Sequence, residues 1–143
     1  MLKHELSTND REFRMAFEAG AFAPADFSHR AHVRLAYVYL ATNDVERATT
    51  LMRNAIVNFL RHHGIAPTKY HETLTQAWIL AVYHFMHRTP SALSADDFIA
   101  RTPLLLDSRI MLTHYSAERL FSPQARARFV QPDLDPIPRH RAA

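Results

Sequence analysis

Apolar residues recur along most of this chain with the period of an α-helix, and polar caps or helix breakers separate the recurrences. From Ser7 to Gly20, Phe13, Ala16 and Phe17 fall at helical spacing after Ser7, Thr8, Asn9 and Asp10, and the stretch ends at a glycine suited to the C′ position. A short first helix is predicted. A second opens with Ser28 as N-cap and carries His29, His32, Val33, Ala36, Tyr37 and Leu40 along one face until Asn43-Asp44 interrupts it. The third is the clearest. Val45, Ala48, Met52, Ala55, Ile56, Phe59 and His63 form one stripe, Asn43 and Glu46 offer a capping box, and Gly64 with Pro67 closes it. The fourth runs from about Thr68 or Tyr70 to Arg88, where Thr89-Pro90 ends it. Leu74, Ala77, Trp78, Ala81, Val82 and Phe85 line one face, and Ile79, Leu80, Tyr83 and Met86 add apolar groups elsewhere. That distribution marks the central, most buried helix.

Beyond Pro90 the pattern is more broken. Ser94 caps a short helix through Phe98 and Ile99 that Thr102-Pro103 stops, and Leu104 to His114 reads as another helix. Ser122-Pro123 is an N-cap and N1 pair for a last helix of about two turns through Phe129. Pro132, Pro136 and Pro138 then mark an irregular tail, laid across the body through Leu134 and Ile137. The expected fold is an all-α, antiparallel helical bundle of about five to seven helices. It forms a single domain over residues 1–130, followed by a proline-containing tail over 131–143.

Composition narrows this picture. Only two of 143 residues are glycine, which argues against an all-β fold full of tight hairpins. The chain has no cysteine, so disulfides, thiolate ligands and cysteine nucleophiles are excluded, and any metal would need His, carboxylate or carbonyl ligands. With neither a cleavable signal pattern nor a long apolar run, the chain reads as soluble and cytoplasmic, with no membrane partner. A formal charge of +3 spread over scattered arginines does not by itself predict nucleic-acid binding. A heavily apolar fourth helix in so small a chain is consistent with a homodimer.

The candidate chemistry lies in the histidines. Short links at 41–44 and 64–69 make the second, third and fourth helices antiparallel neighbours. His29, His32, His63 and His71 then share one end of the bundle, and His84 and His87 are carried to the other. A return through 104–112 would bring His114 and Tyr115 back to the first group. A positive helix N-terminus disfavours imidazolium, and neutral imidazole is the form that binds metal. The expected ligand set is therefore His29, His32 and His71, joined by His114, around a divalent transition metal such as Zn, Fe, Ni or Cu. Glu72 and Tyr70 are the candidate catalytic proton carriers. Lys69 and Arg34 are the candidate clamp for a small anionic substrate, with Arg109 and Arg119 as further cations. The competing reading of the same histidines is a metal-free polar or catalytic cluster, or hydrogen-bonded core groups. His62-His63 suits the dipole at a helix C-terminus, and His4, His84, His87 and His140 suit surface or packing roles. Trp78 reads as a core anchor. Neither histidine pair has the H-E-x-x-H pattern of metalloprotease helices, and there is no phosphate loop, nucleophile elbow or dinucleotide fingerprint.

At Phe27-Ser28-His29-Arg30-Ala31-His32-Val33-Arg34-Leu35-Ala36, Lys69-Tyr70-His71-Glu72-Thr73-Leu74-Thr75 and His114-Tyr115-Ser116, the chain resembles a group of small bacterial helical proteins to which no activity is attached. That resemblance spans most of the chain and implies helical architecture but no reaction. The chain is also similar to DinB-like bundles in size, class and a three-histidine site. It lacks their closing H-x-x-x-H pair, so this likeness stops at architecture. The functional expectation is a small metal-dependent enzyme. Its rival is a metal-free binding or regulatory module that contacts protein or nucleic acid.

Overall fold

Side-chain caps set where most of the helices begin. The structure, a computed structural model, describes residues 3–140. Ser7 accepts from the Asp10 amide while Asp10 accepts from the Ser7 amide, and this reciprocal box starts α1 (Thr8–Glu18). Ser28 caps α2 (His29–Leu40), and Asp44 caps α3 (Val45–His62). The cap of α3 is thus Asp44; Asn43 instead turns its amide back to the Tyr39 carbonyl. Serines 94, 116 and 122 cap α5 (Ala95–Arg101), α6 (Ala117–Leu120) and α7 (Pro123–Ala127) in the same way. The helix α4 (Glu72–Arg88) differs, because its N-cap is the ring of His71. Gly20 and Gly64 follow α1 and α3 with φ of 76° and 66°, the left-handed conformation that a glycine C′ residue supplies.

The chain is all-helical among the described residues, with α2, α3 and α4 packed on one another around the core. Alternating direction across short links brings the start of α2, the end of α3 and the start of α4 to one end of the bundle. The helix α4 is buried on several sides, as its composition predicts, but it shares the centre with α2. Leu35 through Leu40 of α2 are all buried, because α1, α3, α4 and α5 cover it on different sides. Phe17 of α1 stacks on Phe59 of α3 with ring centroids 4.5 Å apart, and Phe27 closes over the pair. Asp10 is 1% exposed and accepts from the Ala95 amide and from Arg34, tying the starts of α1 and α5 to α2.

The second half departs from the sequence expectation. Residues 104–114 do not form an α-helix; they make two 3₁₀ segments, Pro103–Leu106 and Ser108–Thr113, with Asp107 between them. Asp107 takes the Arg109 amide, which caps the second segment and breaks any continuous α pattern. The last helix is shorter than expected and ends at Ala127. The segment after it folds back onto the body. Thr73 bonds both the Arg128 carbonyl and the Val130 amide, Tyr115 donates to the Val130 carbonyl, and Ile137 is buried. Leu134, in contrast, holds by its amide on the His114 carbonyl while its side chain stays exposed. Among the described residues, no helix is long and apolar enough to cross a membrane.

Candidate functional site: a cleft at the start of α2

A cleft of about 490 Å³ opens where α2 begins, bounded by α4 and by the 3₁₀ segment Ser108–Thr113. Phe27, Leu74, Trp78, Met111, Leu120 and Phe121 give it an apolar lining. His29, His32, Ser28, Ser108 and Arg109 supply the polar groups. An apolar hollow with a few placed polar atoms is the usual composition of a small-molecule site.

Two histidines three residues apart on α2 enter this lining from one helix face. The His29 ring donates from Nε2 to the Leu105 carbonyl at 2.9 Å and meets the Trp78 ring edge to face, with centroids 4.5 Å apart. This bond fixes the tautomer and leaves Nδ1 as the nitrogen with a lone pair. His32 has a different environment. Its Nε2 is closed off from solvent, and no described protein group hydrogen-bonds it. Burial first, and the neighbouring His29 second, pull its imidazole down to about 4, so it is neutral at physiological pH. The neutrality expected from the helix N-terminus is therefore present, but burial is its main cause.

The remaining expected residues lie elsewhere or are already engaged. The His71 ring accepts the Leu74 amide at Nδ1 (3.1 Å) and donates from Nε2 to the Leu120 carbonyl (2.7 Å), so both nitrogens are occupied. Leu74 and Leu120 line the cleft, so His71 stands behind its wall as a staple. Burial lowers its pKa, against the opposing pull of the Leu120 carbonyl. His114 donates from Nδ1 to the Asp135 carbonyl at 2.7 Å and holds the C-terminal segment, outside the cleft lining. Among the described residues no three His, Asp or Glu side chains are grouped so as to hold an ion. The expected ligand set of His29, His32, His71 and His114 is thus divided between cleft lining and structural clasp.

The expected proton carriers form a separate cluster on the side of α4 that faces α3. Glu72 takes both arms of the Arg53 guanidinium, at 2.8 and 2.7 Å, together with the Tyr70 hydroxyl at 2.7 Å and the Gln76 amide. Burial alone would raise the Glu72 carboxyl, but the bonds from Arg53, Gln76 and Tyr70 outweigh it and hold the group below the usual carboxylate range. Burial pushes the Tyr70 phenol above its ordinary value, and the Glu72 carboxylate adds to the shift. Such a carboxylate is a poor base, because its lone pairs are spoken for. As for the expected clamp, Arg34 is committed to Asp10 and lies over the Phe13 ring at 4.4 Å, while Lys69 is exposed in the turn Pro67–Lys69, outside the cleft lining. Of the four cations considered, Arg109 alone lines the cleft, and it is paired with Asp107.

Sequence reasoning did not assign Ser108 and Phe121 to the cleft or Arg53 to Glu72. Trp78, expected as a core anchor, is 3% exposed and also forms cleft wall. The lining from 108 to 121 depends on a 3₁₀ path with no periodic signal, so no local pattern marks it. Arg53 carried a weak sign: it is a basic residue one position from the buried stripe of α3, at Met52.

No family model, curated protein or solved structure matches the chain.

Proposed function

We propose that the cleft beside the start of α2 binds a small organic ligand with an apolar, ring-sized body and one hydrogen-bond donor. The donor is taken by Nε2 of His32. One observation carries this reading: a neutral imidazole in the wall of an apolar cleft keeps a buried ring nitrogen, Nε2, without a partner, an arrangement that costs about 1–3 kcal/mol until it is satisfied. For a ligand to reach that nitrogen the ring has to turn about χ2, a soft torsion. Phe121, an exposed ring, offers a face for a flat body, and Trp78 and Ser108 belong to the same lining.

An imidazole that burial pulls down to about 4 accepts a hydrogen bond but is a weak base, so His32 would orient the ligand's donor without taking its proton, while His29, oriented by the Leu105 carbonyl, faces the Trp78 side. A metal-dependent version must draw on His29 Nδ1 and His32 Nε2, since His71 would have to break two hydrogen bonds to join them. The geometry favours the metal-free form.

Trp78 is the single tryptophan of the chain, so its fluorescence reports on the cleft directly. Titration with phenol, a small aromatic donor, should change Trp78 emission saturably, with a larger effect than toluene, which lacks the donor. Replacement His32→Leu should remove that preference and leave the weak toluene response. If phenol and toluene bind alike in the native protein, His32 does not recognise a donor. A stoichiometric Zn²⁺ response lost in both His29→Ala and His32→Ala would favour the metal-dependent version.

A further inference from the structure

At the far end of α4 the structure assembles three histidines that periodicity alone leaves apart. His84 and His87 sit on the last turns of α4, and His140 arrives from the C-terminal segment. His84 Nδ1 and His140 Nε2 are 2.8 Å apart, and the His140 ring lies parallel to His87 with centroids 4.1 Å apart and 10° between planes. His87 donates from Nδ1 to the Tyr83 carbonyl, which holds its ring in place for that stack. The same segment closes one side of a groove of about 700 Å³, lined by Asp44, Glu46, Leu80, Tyr83, Arg139 and His140.

We propose that residues 138–140 are a proton-sensitive latch on α4, docked while the three imidazoles are largely neutral and released when a second proton enters the cluster, opening the groove beside the start of α3. Two imidazole nitrogens at hydrogen-bond distance share one proton, with one ring donating and the other accepting. One further proton is tolerated, because an imidazolium can still donate to its neutral neighbour. A second removes the last lone pair from the contact and leaves two cations facing each other, with the His87 ring stacked on one of them.

The other charges around the cluster do not reverse this balance. On α4, Arg88 adds positive charge and Tyr83 is neutral; on the tail, Arg139 is positive. From the start of α3, Asp44 and Glu46 face the groove, but both are exposed and therefore screened, and Asp44 is also engaged in capping the Arg47 amide. Burial first and then His140 lower the pKa of His84, while burial and then His87 lower that of His140. The docked state thus binds protons less readily than the released one. Docking is strongest above the ordinary histidine value near 6.5 and weakens as pH falls below it. Release stops short of the whole tail. The Asp135 carbonyl accepts from His114 Nδ1, and Asp133 holds the Ser116 amide and hydroxyl.

Because the chain has no native cysteine, Pro138→Cys in the full chain takes a single fluorescent dye on an exposed position of the latch itself, and its anisotropy follows the freedom of that segment. Anisotropy should fall between pH 7.5 and 5 with a slope greater than one proton, while far-UV circular dichroism holds constant. The value reached should be that of the His140→Ala variant, which should be low at both pH values. His140→Phe, which keeps a stacking ring but cannot titrate, should stay high throughout, and His87→Gln should move the midpoint to lower pH. Anisotropy that is flat to pH 5, or already low in native sequence at pH 7.5, overturns the latch. Release at pH 7.5 by a chelator also overturns it, because an ion and not a shared proton would then hold the segment.

Discussion

Two helix starts at the same end of this bundle both carry histidines, and they use them in opposite ways. At α4, His71 spends both ring nitrogens on backbone groups, and Glu72 next to it is saturated by Arg53, Tyr70 and Gln76. At α2, His29 keeps one nitrogen uncommitted and His32 has a buried nitrogen with no protein partner. The residue type and its place on the helix are alike, so neither predicts availability. What separates a staple from an available ring is whether both nitrogens are taken: His71 spends both, His29 spends one, and the buried Nε2 of His32 has no partner. His4 repeats the staple pattern, donating to the Met86 carbonyl and accepting the Ala92 amide.

The contrast can be tested most severely at His71. Replacing His71 by Ala removes a helix cap and orphans both the Leu74 amide and the Leu120 carbonyl, for a loss of about 3–4 kcal/mol. Urea denaturation measures this, and a loss below about 1 kcal/mol would mean that the staple does not matter.

Acid should act through the other start. His32 falls from 6.5 in the unfolded chain to about 4 when folded, so the unfolded state takes the proton first. Its contribution is intact above pH 6.5 and disappears as pH falls through about 4, a cost of up to about 3 kcal/mol. The downward shift of His71 adds to the same trend. Denaturation midpoints measured from pH 7.5 to 4 in native sequence and His32→Leu should diverge steadily; parallel curves would show that His32 is not buried and neutral.

A smaller effect belongs to Glu72→Gln, which keeps the shape but weakens charge-assisted bonds to a half-exposed arginine. It should cost about 1–2 kcal/mol and leave ligand titrations through Trp78 unchanged. A changed ligand response would return Glu72 to the site. The smallest effect has the opposite sign. At pH 7.5, His32→Leu should raise stability by about 1 kcal/mol, since an apolar group replaces an unsatisfied one. Loss of donor-selective binding with gain of stability would mark His32 as a residue held at a cost for function.

Much of the architecture was legible along the chain because its signals are local. The stripe of Ala48, Met52, Ala55, Ile56 and Phe59, the serine caps, and Gly20 and Gly64 at helix ends all act within a few residues of themselves. Chain direction then brought His29, His32 and His71 to one end. The Leu104–His114 stretch was misread because Asp107 caps a 3₁₀ turn in the middle of a run whose leucines imitate a helix. The far-end histidines were legible as residues on the last turns of α4, but their union with His140 spans 56 positions and passes through a segment with no regular period.

By itself the sequence determined α1 to α5 and α7, most of their ends and which ends come together, since backbone hydrogen bonding and apolar periodicity act over one or two turns. Only the tertiary structure decided what each imidazole is for. The carbonyl that occupies His71 comes from 49 residues away and the one that orients His29 from 76, while none reaches His32. A ring nitrogen becomes a staple or a site according to the partner that packing delivers to it, and that partner leaves no mark near the histidine in the chain.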